Sequence, residues 1–81
     1  MKYPAKYIAV DGYLTDEIYV FQNHVTHSDF ASRMGFVLNE ILGAGFVSPE
    51  LKCYGESISL KVKSRAEDTE LLEKMINPQT D

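Results

Sequence analysis

Two hydrophobic periodicities divide the chain. Around 6–10 and 17–22 apolar residues alternate with a period of two, as in half-buried strands. In Lys6–Val10, Ile8 and Val10 point one way, Tyr7 and Ala9 the other. In Glu17–Gln22, Ile18 and Val20 share one face, Tyr19 and Phe21 the other. Asp11-Gly12 is a turn dipeptide between them, so the pair reads as an antiparallel hairpin. Residues Gly12–Asp16 allow a longer tip, which leaves the register open. From Thr26 to Gly43 the spacing changes to three and four. Phe30, Met34, Val37, Leu38 and Ile41, edged by Ala31 and Leu42, form one stripe of a helix. Thr26 or Ser28 can cap it, and Asp29 suits its first turn. Gly35 then falls mid-helix, at a cost of about 1 kcal/mol relative to Ala. Gly43 and Gly45 offer termination.

Beyond the glycines, Phe46-Val47 can start a short strand that Pro49 interrupts. Leu51–Tyr54 and Ser57–Lys63 flank Gly55-Glu56 as a second hairpin. In the latter strand Ile58, Leu60 and Val62 oppose Ser57, Ser59, Lys61 and Lys63. Ser64-Arg65-Ala66-Glu67 matches a capping box and opens a second helix, with Leu71, Leu72, Met75 and Ile76 as its buried stripe. Asn77-Pro78 ends it and 79–81 should fray, as should the arm Met1–Ala5. The expected fold is a single α+β domain, order β-β-α-β-β-α. It is a two-layer sandwich, an antiparallel sheet with both helices on one face.

Composition narrows the class. Eighty-one residues with 44% hydrophobic and 25% charged content suit one globular domain and argue against disorder. A single cysteine, Cys53, excludes an internal disulfide and fits a cytoplasmic setting. No apolar run is long enough for a signal peptide or a membrane span. The net charge is −4. Residues 50–65 are locally basic, with Lys52, Lys61, Lys63 and Arg65 against two acids, while 66–81 carry five acids and one lysine. An acidic total disfavours non-specific nucleic-acid binding, which depends on phosphate neutralisation.

Candidate chemistry is sparse. His24, His27 and Asp29 lie close in sequence, but a closed zinc site needs about four ligands, and no second Cys/His cluster completes this set. The expectation is no metal, no cofactor and no enzyme. Cys53 reads as a packing residue rather than a nucleophile. No phosphate loop or nucleophile elbow occurs. The alternation itself suggests a surface. If the aliphatic faces meet the helices, Tyr7, Tyr19, Phe21, Lys61 and Lys63 face outwards together. Such a face can bury its aromatics against a second copy of the chain. It can also stack single-stranded bases, with Arg65 adding charge. Phe36 is a separate apolar point on the polar side of the first helix.

The stretches Cys53-Tyr54-Gly55-Glu56-Ser57 and Ser64-Arg65-Ala66-Glu67-Asp68-Thr69 resemble a pattern in small uncharacterised proteins of phages and prophages. The resemblance covers less than half of the chain. It implies a cytoplasmic accessory protein of a bacterium or phage, acting on a host or phage protein, and carries no activity with it. The leading expectation is thus a non-enzymatic interaction protein, homodimeric, using Tyr7, Tyr19, Phe21, Phe36, Lys61, Lys63 and Arg65. The alternative is a single-stranded nucleic-acid binder on the same aromatic and lysine face.

Overall fold

The protein is described by a computed structural model covering residues 2–77. The expected frayed end at 79–81, with Pro78, lies outside the described residues, as does Met1. Strands β1 (Ala5–Asp11) and β2 (Asp16–Phe21) form the first hairpin. Helix α1 (His27–Met34) and a 3₁₀ turn (Leu38–Glu40) follow. Then come β3 (Ile41–Val47), β4 (Cys53–Tyr54), β5 (Glu56–Ser57), β6 (Val62–Lys63) and helix α2 (Ala66–Ile76). The main sheet is antiparallel in the order β2-β1-β3-β4, and β5-β6 is a separate small hairpin. The α+β class and the antiparallel sheet are as expected; the arrangement around the sheet is not.

The helices lie on opposite faces. Residues Ala5, Tyr7 and Ala9 of β1 pack with Ile18, Val47 and Leu72, under α2. Ile8 and Val10 pack with Phe21, Ala31, Ile41 and Ala44, under α1 and the small hairpin. The reason is already in β1, which is apolar at both parities. Such a strand belongs inside a sheet covered on both sides. Register settles which neighbours join each face. Four residues, 12–15, separate the last pair Asp11↔Asp16, so odd positions of β1 oppose even positions of β2: Tyr7↔Val20, Ile8↔Tyr19, Ala9↔Ile18. The expected grouping of Ile8 and Val10 with Ile18 and Val20 is therefore wrong by one residue. Such a slip moves every side chain of a strand to the other face.

The first helix is less than half its expected length. Thr26 caps it, its hydroxyl accepting the Asp29 N–H at 3.0 Å. Gly35 ends it in the left-handed conformation, φ 77°. The N–H groups of Gly35 and Phe36 donate to the carbonyls of Ser32 and Ala31, the paired bonds of a Schellman motif. Only glycine takes that φ without strain, so the residue that looked like a mid-helix penalty is a stop. The helical stripe at Val37–Ile41 is instead a short turn running into β3. There Ile41 pairs with Val10 and Gly43 with Ala9, leaving Leu42 as a bulge.

The C-terminal third departs in detail. Cys53–Tyr54 pairs with Phe46–Val47 as a short edge, not with the segment after Gly55. Glu56–Ser57 pairs with Val62–Lys63. Residues 58–61 form the turn, with Lys61 at φ 59° and Ile58 83% exposed, so Ile58 is not core. The reciprocal bond at the start of α2 is shifted by one position. The Arg65 N–H donates to Asp68 Oδ2 at 2.9 Å, in place of the expected Ser64/Glu67 pair. Leu72 is buried as expected, whereas Met75 and Ile76 are half exposed.

Candidate functional site

Under α2 lies a buried polar cluster. Tyr7 and Asp68 are both 0% exposed. The Tyr7 hydroxyl donates to Asp68 Oδ2 at 2.5 Å. Arg65 Nε donates to Oδ1 at 2.9 Å, and Nη2 lies 2.6 Å from the same oxygen, off the line of an N–H and so a charge contact rather than a directed bond. With the Arg65 N–H also on Oδ2, three directed bonds and the guanidinium charge compensate the carboxylate, which a buried charge requires. Burial, then the bond to Asp68 and its charge, push the Tyr7 phenol well above its usual 10. Arg65 is also held up: burial works against its charge, but Asp68 outweighs it, helped by Glu67 at 3.8 Å and Asp16 at 3.7 Å. Gly43 of β3 makes the close approach possible, because a Cβ there would overlap Asp68 Oδ2. Beside the cluster, the Cys53 N–H donates to Thr69 Oγ1 at 3.0 Å. Burial, with the Asp68 charge, pushes the Cys53 thiol up to about 11, so little thiolate exists at neutral pH.

Under α1 the contact is aromatic. Phe21 stacks on Phe30 with centroids 4.1 Å apart and meets His27 edge-on. His27 is 4% exposed, and its Nε2 is 2.9 Å from the Gly45 carbonyl, which makes that nitrogen the protonated donor. Burial chiefly, and nearby Lys6, lower its pKa below 6.5, against the Gly45 bond that raises it. His24 is exposed elsewhere. Among the described residues no three His, Cys, Asp or Glu side chains come together as a metal site.

The expected outward aromatic and lysine face does not assemble. Tyr7 and Phe21 are core on opposite faces, and Tyr19 is half buried against Phe36, centroids 5.2 Å apart. Lys61 and Lys63 are exposed on the small hairpin, and Arg65 is engaged with Asp68. Of the seven expected contact residues, Tyr19 and Phe36 alone meet at the sheet's β2 margin.

That margin is open. Strand β2 is the outer strand on its side, six residues long, and among the described residues nothing but β1 pairs with it. On the α1 face, Phe36 leads into Val37 and Leu38, 55% and 62% exposed, beside Met34 at 45%. On the α2 face, a groove of about 420 Å3 runs between β2 and α2, lined by Ile18, Tyr19, Leu71 and Met75 among others. A larger recess of about 590 Å3, at Leu51 and Ile76, lies on the β4 side of α2. Sequence reasoning missed Val37, Leu38 and Met75 as surface residues, because their helical spacing read as core.

The chain matches no family model, no curated protein and no solved structure. Among the described residues no helix is long and apolar enough to cross a membrane.

Proposed function

We propose that this is a small non-enzymatic interaction protein that forms a symmetric homodimer by joining two β2 edges into one continuous sheet. The observation that carries this reading is the open six-residue edge with apolar side chains on both of its flanks. An exposed edge of this length is a template for strand addition, and proteins that stay monomeric blunt such edges with proline, charged side chains or bulges. Strand β2, DEIYVF, carries its two charges at its start, Asp16 and Glu17, and none of these devices from Ile18 to Phe21. Antiparallel self-pairing about a two-fold axis would satisfy the edge and cover Met34, Val37, Leu38 and Met75 together. The non-enzymatic part is supported by where the reactive groups are spent. Tyr7, Asp68, Arg65 and His27 bond one another or the backbone, and Cys53 is protonated at neutral pH. An accessory role in a phage or bacterium, which the resemblance at 53–57 and 64–69 implies, suits such a module.

Sedimentation of the wild type and of a Val37→Glu, Met75→Glu double variant tests the reading. Both substituted residues are exposed, so the variant should keep its helical circular dichroism. The wild type should sediment as a dimer at ~100 µM, above the range of weak micromolar constants, and the variant as a monomer. A monomeric wild type at that concentration would refute the proposal.

A further inference from the structure

Tyr13 and Leu14 are 99% and 90% exposed, more than any other large apolar side chains described. They sit at the tip of the β1–β2 hairpin, with the carboxylates of Asp11, Asp16 and Glu17 at its base. Arg65 faces Asp16 but is already held by Asp68, so the collar stays acidic. At the other end of β2 lies a recess of about 420 Å3 lined by Lys2, Gln22, Asn23 and His24. Among the described residues it holds one lysine, one histidine and no acid.

Antiparallel joining of two β2 edges lays the start of one strand beside the end of the other. If the two-fold axis passes through Tyr19, Leu14 comes opposite His24 of the second copy. A two-fold axis perpendicular to the sheet keeps each residue on its own face, so a residue must lie opposite its own copy. The register through Tyr19 meets this and carries the exposed tip to that recess, and charge agrees with geometry. In that register Asp16 comes opposite Gln22 of the second copy, where Lys2 lines the same recess, and opposed charges fix register in an interface. We infer that the Tyr13–Leu14 tip of each copy seats in the Lys2–His24 recess of the other, so that the dimer is clasped at both ends of the joined edge. This rests on the edge-to-edge reading above. The tyrosine ring and the leucine cover the aliphatic stem of Lys2, and the Gln22 amide is left to bond the tyrosine hydroxyl, because Asn23 Nδ2 already donates to the Pro4 carbonyl at 2.8 Å.

Disulfide trapping tests the seating. In a Cys53→Ser background, Leu14→Cys and His24→Cys are placed in one chain. Positions 14 and 24 flank a strand about 20 Å long, at roughly 3.3 Å per residue. A disulfide spans Cα atoms no more than about 7 Å apart, so any bond between these two must join two chains. Mild oxidation should give a covalent dimer. Leu14→Cys paired with Lys52→Cys, which lies beside the far edge, should give only the background of chance collisions. Separately, Lys2→Glu should weaken dimerisation about tenfold, and adding Asp16→Lys should restore it. Sedimentation as a dimer without the 14–24 bond would overturn the seating and leave the edge pairing intact. A monomer in sedimentation would overturn both. Flotation of the monomer with phosphatidylcholine vesicles, lost in Leu14→Ser, would also overturn the seating by giving the tip a lipid occupant.

Discussion

The two faces of the sheet are held by different chemistry. Under α2, β1 contributes small residues around one buried hydroxyl, and the helix is fixed by directed bonds among Tyr7, Asp68 and Arg65. Under α1, the contact is area: Phe21 on Phe30, Tyr19 against Phe36, and a neutral imidazole wedged edge-on. A charge cluster has one good geometry and is strongly destabilised when one member is lost. Stacked rings tolerate changes of shape if volume is kept. The α2 face should therefore be brittle and the α1 face forgiving.

The sharpest way to break this contrast is Asp68→Ala. It leaves the Tyr7 hydroxyl and the Arg65 guanidinium without their acceptor, and should cost about 3–5 kcal/mol in urea unfolding. A cost near that of an ordinary surface change would show the face to be as forgiving as the other. Tyr7→Phe removes one bond and leaves Asp68 its arginine, so about 1–2 kcal/mol is expected from the same measurement. On the opposite face Phe21→Leu keeps most of the volume and should cost about 1 kcal/mol. A loss above that of Tyr7→Phe would reverse the ranking. The mildest effect is one of pH. Burial lowers the pKa of His27 below 6.5, so as pH falls the unfolded chain takes up its proton first. The stabilisation is full above about 6.5 and is lost as pH drops through the folded value. One proton limits the slope to about 1.4 kcal/mol per pH unit. Unfolding midpoints between pH 7.5 and 5.5 should fall in the wild type and fall less in His27→Gln.

The same contrast explains what the sequence made legible. The hairpin, the Thr26 cap, the alternation of β1 and the second helix are written in local spacing, and all are present. Register was not legible, because it turns on whether the tip holds an odd or an even number of residues. That single parity decided that Phe21 is core and that Ile18 faces α2. Gly35 carried two local meanings, penalty or stop, and the periodicity beyond it favoured the wrong one. The polar cluster was invisible for a different reason. Asp68 has the local look of a first-turn acid, and nothing near it in sequence announces a tyrosine 61 residues away. Local sequence names no structural need for Arg65 or for the position of Cys53; one has a partner in Asp68 and the other a place beside it. Of the expected contact residues, Tyr19 and Phe36 sit at the open margin. Tyr13 and Leu14, two large apolar residues inside a turn, are a surface signal that local sequence does carry.

The separation of Tyr7 from Asp68 also sets a schedule for synthesis. The β1–β2 hairpin closes over four residues, whereas the Tyr7–Asp68 bond closes over 61. By loop entropy alone the longer closure costs about 2 kcal/mol more. A ribosome adding about 5–20 residues per second completes β1 roughly 3–12 s before it reaches Asp68. Through that interval the Ala5, Tyr7 and Ala9 face has no helix to cover it. That apolar face stays uncovered until α2 has left the exit tunnel and packs on it.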